Sequence, residues 1–168
     1  MSPDIVGMSY TYPDCYVVGR ENIRQYAKAV KNEDPAYFDE DAACALGHDA
    51  ILAPLTFIAI FGLKAQLAFF EHLNVAITDE KIVQSEQGLK ILQPIKAGDR
   101  LHCHIRLDSL RRCFGADILT IRSRITNQDG EIVQEDYTTM AGRSEPEWRP
   151  PGSSIHDDGV ATGRTASI

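Results

Sequence analysis

The sequence predicts an α+β fold in which one antiparallel sheet wraps around a single long, buried helix. Two observations lead there. From Pro54 to Leu73, the residues Leu55, Phe57, Ile58, Ile60, Phe61, Leu63, Leu67, Phe69 and Phe70 spread over most of a helical circumference. A helix that is apolar nearly all round has to be enclosed by other structure. After it the period changes to two: between Arg100 and Ser109, Leu101, Cys103, Ile105 and Leu107 alternate with Arg100, His102, His104, Arg106 and Asp108. Strict alternation marks a half-buried strand, and several such strands following one enclosed helix define the class.

The elements follow in order. Tyr16 to Arg20 reads as a short strand and a turn. Arg20 to Lys31 reads as an amphipathic helix, with Ile23, Tyr26, Ala27 and Val30 at helical spacing and charges between them. Pro35 closes it. Asp39 to Leu46 forms a second, short helix with Gly47 as its C′ stop. In the enclosed helix, Pro54 or Thr56 marks the start, and polar residues arrive only late, at Lys64, Gln66, Glu71 and His72. Lys81 to Leu92 alternates loosely. Asp117 to Thr126 places Leu119, Ile121 and Ile125 on one side, Asn127-Gln128-Asp129-Gly130 is a turn, and Glu131 to Ala141 is the partner strand. Residues 1–143 form one domain. Residues 144–168, where prolines and glycines are scattered among polar residues, are expected to be a mobile tail.

At 168 residues the chain suits one domain with a real core. A net charge of −7 argues against nucleic acid and against an anionic membrane surface as partners. The N-terminus lacks the apolar segment of a signal peptide, so a cytoplasmic protein is expected, with Cys15, Cys44, Cys103 and Cys113 reduced and structural. Ile51 to Phe61, the longest apolar run, is too short to span a bilayer. His102 and His104 share a strand face at a spacing that can hold a metal, but no third ligand is evident, and Arg100 and Arg106 occupy that face. No metal and no cofactor are expected.

The most informative stretch is Asn32-Glu33-Asp34-Pro35-Ala36-Tyr37-Phe38-Asp39. It resembles, without a gap, the loop G-D-x-N-P-x-H-x-D of MaoC-type hot-dog hydratases and dehydratases. Asp34-Pro35 stands where that family has N-P. Asp39, Ala43 and Gly47 fall on its next three fixed positions, and Ala53-Pro54-Leu55 falls on its A-H-G at the head of the enclosed helix. The aspartate position holds Asn32 and the histidine position holds Tyr37. Read alone, the stretch is an ordinary helix exit built on an Asp-Pro turn; the longer register favours descent from the hydratase loop.

From Asp4 to Arg143 the chain resembles a narrower family, the larger subunits of mycobacterial heterodimeric (3R)-hydroxyacyl-ACP dehydratases in type II fatty acid and mycolic acid synthesis. Ala53-Pro54-Leu55-Thr56-Phe57 and Tyr137-Thr138-Thr139 carry that resemblance most specifically. Ile82-Val83-Gln84 and the turn Pro94-Ile95-Lys96-Ala97-Gly98-Asp99 add to it. The resemblance implies a single hot-dog fold that pairs with a second subunit into a double hot dog. It also implies a smaller partner that supplies the aspartate and histidine, and an acyl carrier protein that delivers a 3-hydroxyacyl chain. It leaves open which of two larger-subunit types this chain follows.

Dehydrating a 3-hydroxyacyl thioester requires a base for the C2 proton and an acid for the departing hydroxyl. Tyrosine, with an unperturbed pKa of about 10, and asparagine, with no basicity, supply neither at neutral pH. No catalytic residue is therefore expected in this chain, and Asn32 and Tyr37 are degenerate positions. The expected substrate contacts are Thr56, Phe57, Ile60 and Phe61 at the head of the helix, lining an apolar path, and Gln84 on the strand beside the joint site. Since a carrier protein is acidic, Arg111-Arg112 and Arg122 with Arg124 are candidates for its docking patch. Two other functions compete: a non-enzymatic acyl-binding homodimer, and a hot-dog thioesterase. The latter lacks a well-placed activator, because Glu71, the one carboxylate of the helix, lies near its far end.

Overall fold

The computed structural model describes residues 5–73 and 82–143. Strands β1 (Ser9–Thr11) and β2 (Tyr16–Val17) are followed by helix α1 (Arg20–Ala29), a 3₁₀ turn (Pro35–Tyr37), α2 (Glu40–Ala45) and α3 (Ala59–His72). Then come β3 (Ile82–Ile91), β4 (Arg100–Cys113), β5 (Ala116–Thr126) and β6 (Ile132–Arg143). The sheet is antiparallel, in the order β1-β4-β5-β6-β3, with β2 also paired to β4. One long helix laid against such a sheet is the hot-dog fold. The tail expected at 144–168 lies outside the described residues.

Alternation determines which side of the sheet meets the helix. Leu101, Cys103, Ile105 and Leu107 of β4 and Leu119, Ile121 and Ile125 of β5 are buried, while Arg100, His102, His104 and Arg106 remain exposed. Phe57, Phe61, Ala65 and Phe69, four residues apart, form the helix's line of contact with this layer. Tyr16 stacks on Phe61 with ring centroids 5.5 Å apart, and Tyr12 meets the same ring edge-on at 5.6 Å. Each fully buried ring of this kind contributes about 1.5–3 kcal/mol.

Two expectations are corrected. The described residues do not enclose the helix all round: Leu63 and Leu67 are 59% and 44% exposed, and Leu55, just before the helix, is 63% exposed. One sheet covers only one side of a cylinder, so among the described residues the apolar side chains on the other side are left uncovered. In addition, α3 begins at Ala59 rather than at Pro54 or Thr56. From Pro54 to Phe61 the backbone makes several i→i−3 hydrogen bonds, among them Phe57 N–H to Pro54 O at 2.8 Å and Ala59 N–H to Thr56 O at 3.0 Å. This tight lead-in merges with the α-helix without a side-chain cap.

Candidate functional site

The loop from Asn32 to Asp39 is held by its own short polar side chains. Asn32 Oδ1 accepts from Asp34 N–H at 3.2 Å, and Asp34 Oδ1 accepts from Ala36 N–H at 3.0 Å. Asp39 Oδ1 caps α2 by accepting from Asp41 N–H at 2.8 Å. Asp34 and Asp39 therefore have structural work here that is independent of catalysis. Arg24 adds a brace from α1, donating through Nε and Nη2 to the Phe38 carbonyl at 3.2 and 3.1 Å.

Backbone pairing brings this loop to the head of α3. Leu52 N–H donates to Ala36 O at 2.9 Å, immediately before Tyr37. Ala53 N–H donates to Ile95 O at 2.8 Å and Ala97 N–H to Ile51 O at 2.9 Å. The Pro94-to-Asp99 turn is thus laced to the 51–53 segment. It closes through Gly98, whose φ of +96° suits glycine, and through Asp99 Oδ2, which accepts from Lys96 N–H at 2.9 Å.

These links produce a cleft of about 80 Å³ between Tyr37, the 52–55 segment, Ile91, the 93–95 segment and Gln134. Its walls are largely apolar. Tyr37 is half-buried; burial, together with the Asp34 charge, holds its phenol above the ordinary tyrosine range, while Asn32 pulls the other way. The hydroxyl stays protonated at neutral pH and is no base.

Gln134 was not anticipated from the sequence. It is 1% exposed, and its Nε2 has no hydrogen-bond partner among the described residues. An unsatisfied buried donor costs about 1–3 kcal/mol. The sequence signal was present: β6 turns Gln134, Asp136, Thr138 and Met140 inward, so three polar residues in succession occupy a row where a core strand normally carries apolar ones. Farther along this row, Gln66 of α3 donates to Thr138 Oγ1 at 3.3 Å and Gln87 donates to Asp136 Oδ1 at 3.4 Å. Burial raises the Asp136 carboxyl above its ordinary value. The neighbouring Cys103 thiol is pushed up to about 12 by burial and by the Asp136 charge.

The expected contact residues are distributed unevenly. Tyr37 lines the cleft; exposed Asn32 sits at the loop's entry. Thr56 is exposed and bonded through Oγ1 to the Tyr26 hydroxyl at 3.0 Å. Ile60 is half-buried. Phe57 and Phe61, at 1% and 2% exposure, face the core rather than the cleft. Gln84 lies exposed on β3, where its Nε2 donates to Gln87 Oε1 at 3.1 Å. Of the arginines, Arg122 pairs with Asp108 at 2.7 Å, Arg112 with Asp117 at 3.3 Å and Arg124 with Glu135 at 3.3 Å. Among the described residues no group of histidine, cysteine, aspartate or glutamate could hold a metal ion, and no helix is long and apolar enough to cross a membrane.

Fold and loop together define a MaoC-like hot-dog protein of the dehydratase class. Residues 4–136 match the family described as FAS1-like, dehydratase domain region, and the chain belongs to that family. It is 56% identical over 143 residues to the UPF0336 protein ML1910 of Mycobacterium leprae, covering 85% of this chain and 90% of that one. Among solved structures it is similar to the C-terminally truncated HadBC (3R-hydroxyacyl-ACP dehydratase) complex of Mycobacterium tuberculosis, at 46% identity and a TM-score of 0.78. That match covers 84% of this chain and 100% of the matched one. A MaoC-like dehydratase is 34% identical with a TM-score of 0.76; the match covers 98% of this chain but 52% of that one.

Proposed function

We propose that this chain is the non-catalytic, acyl-chain-binding subunit of a cytoplasmic (3R)-hydroxyacyl-ACP dehydratase of fatty acid and mycolic acid elongation. The observation that carries this reading is the pair Asn32 and Tyr37, which occupies the acid–base positions of a loop that keeps Pro35 and Asp39 in register. A protonated phenol and an amide cannot perform the two proton transfers, each typically worth about 10²–10⁴-fold in rate. The catalytic aspartate and histidine would come from a smaller hot-dog partner.

Two features support pairing. Among the described residues strand β3 is bonded only to β6, which leaves its other edge open there. Leu63 and Leu67 on α3 and Val83 on β3 (67% exposed) add uncovered apolar surface. The MaoC-like relative of which this chain covers 52% has room for a second unit of similar size. In the assembled enzyme the acyl chain would run past Thr56, Ile60 and Gln84, with Phe57 and Phe61 as the wall behind. The carrier protein would dock mainly on the partner or at Arg111, since Arg112, Arg122 and Arg124 are each engaged by carboxylates.

Co-expression with a smaller hot-dog chain bearing an intact D-x-N-P-x-H loop tests this. The two should co-purify and hydrate crotonyl and long-chain enoyl thioesters, while this chain alone stays near background. Comparable turnover by the purified single chain would overturn the proposal.

A further inference from the structure

The described residues leave an apolar trough between α3 and β3 uncovered. Gln66 of α3 donates to Thr138 of β6 at 3.3 Å, and Thr138 is registered against Gln87 of β3. That bond holds one flank of the helix beside the last two strands of the sheet. On this flank stand Leu63 and Leu67, 59% and 44% exposed. On β3, Leu89 and Ile91 are registered against Asp136 and Gln134, whose side chains point inward, so they face the helix side of the sheet. They are 36% and 38% exposed. Aliphatic side chains gathered along one trough mark a surface that something covers.

Chain length and the place where β6 ends say what that is. Strand β6 finishes at Arg143, and residues 144–168 follow it. Thr138, level with the Leu67 end of the trough, stands five residues before Arg143; Trp148 stands five residues after it. At about 3.4 Å per residue, each stretch spans at most about 17 Å. A chain that reverses just beyond Arg143 therefore carries residue 148 back toward the level of Thr138, beside Leu67. Pro146, a turn former, falls inside that stretch. The side chain so delivered is the only tryptophan of the protein, and its neighbours Glu145, Glu147 and Arg149 give it no apolar company of their own. Tryptophan buries about 150–250 Å² when it is enclosed, and its indole N–H accepts a wet or polar edge, which the Gln66–Thr138 row provides. So short a tether sets a local concentration on the order of millimolar, enough to populate a contact too weak to hold a separate peptide.

We infer that in the lone chain the segment after Arg143 folds back and seats Trp148 in the trough between α3 and β3, against Leu67 and Leu63. The inference concerns a single chain and does not rest on the dehydratase reading. Leu63 and Leu67 are also surface that pairing with a second hot-dog chain would cover, so the segment and a partner would compete for them.

Because Trp148 is the sole tryptophan, its fluorescence reports on this contact alone. The test compares the full-length chain with a synthetic peptide of residues 144–168. In the full chain the emission should lie to the blue of the peptide's. Acrylamide should quench it about twofold less or weaker still, as expected where tethering keeps the seat at least half filled. Both properties should be independent of protein concentration, with light scattering run alongside. The double substitution Leu63→Asp, Leu67→Asp should return emission and quenching to the peptide's values. If that variant does not fold, Trp148→Ala, which leaves residues 1–143 untouched, decides the matter: removing the ring should displace the Leu63 and Leu67 methyl resonances of the ¹³C-methyl-labelled chain. Emission and quenching equal to the peptide's would overturn the inference. So would protection that survives the leucine substitutions in a folded variant, or leucine methyls unmoved by Trp148→Ala. Protection that grows only as the chain self-associates would assign the trough to a second copy instead and overturn it as well.

Discussion

The Tyr26 hydroxyl lies 2.7 Å from the carbonyl oxygen of Thr56 and 3.0 Å from its Oγ1, tying the middle of α1 to the turn that opens α3. The Tyr26 ring also meets Phe57 edge-on, with centroids 5.5 Å apart. The hydroxyl thus fixes the head of the helix from α1. Tyr26→Phe keeps the ring and loses the bond. It should destabilise the fold by about 0.5–1.5 kcal/mol. The lower end is expected, because the Thr56 carbonyl retains the Ala59 N–H at 3.0 Å. Urea unfolding with an unchanged m-value would measure it.

The 32–39 loop has a well-bonded skeleton. Asn32 accepts from Asp34 N–H as an aspartate would, and Tyr37 lies at the cleft. The double substitution Asn32→Asp, Tyr37→His should therefore fold with little change in stability. It should also raise crotonyl-thioester hydration measurably above the parent chain, by at least about tenfold against the 10²–10⁴ typical of each group. Steady-state assay of both proteins in isolation checks this; no gain at all would mean that the surrounding framework has drifted out of register.

Leu63 and Leu67 form a stripe on the open side of α3. Replacing both with arginine should change the stability of the folded chain itself by no more than about 0.5 kcal/mol per site, as for ordinary surface positions. It should nonetheless abolish pairing with a second hot-dog chain. Light scattering of the variant against the parent, with thermal unfolding alongside, separates the two effects.

The Asp136 carboxyl is raised from its ordinary value of 3.8 by burial, against the opposing pull of Gln87, Thr138 and the Tyr137 backbone. In the window between the ordinary value and the raised one, the folded state binds more protons than the unfolded state. Stability therefore falls as pH rises through that window and stays lower above it. Asp136→Asn removes the ionisation. Its melting temperature should exceed that of the parent at neutral pH and converge with it below about pH 4, near the ordinary aspartate value. Melting curves recorded from acid to neutral pH give the comparison.

Cys103 and Cys44 should separate cleanly in thiol labelling. The Cys103 thiol is buried and pushed up to about 12, whereas Cys44 is exposed. At pH 8 a maleimide should modify Cys44 in the native chain and reach Cys103 only after unfolding, as mass spectrometry of digests would show.

Much of this architecture could be read from residue order. The alternation of Leu101, Cys103, Ile105 and Leu107 gave both the strand and its buried face. The reading stopped at Ser109, although β4 runs on to Cys113, because a bulge between Leu107 and Ser109 shifts the phase of the pleat. Strand β1 was missed because Ser9–Thr11 is too short for any period to show. The meeting of Tyr37 with Pro54 was legible only through the motif, since long-range contacts have no local signature. Gln134 stayed hidden because Gln134, Asp136 and Thr138, three polar residues in alternation, read as a solvated strand face and not as a buried row. The near-complete apolar girth of α3 was legible, but not that the described residues leave Leu63 and Leu67 exposed.

The open rim of β3 bears on how such a protein has to be made. A strand with one side unbonded among the described residues, and with Val83 and Leu89 exposed along it, is a template for any extended segment it meets, including another copy of itself. Molecules synthesised in excess of whatever caps that rim are exposed to clumping and to proteolytic clearance. Balanced output of the two partners would then be a condition of solubility as much as of catalysis.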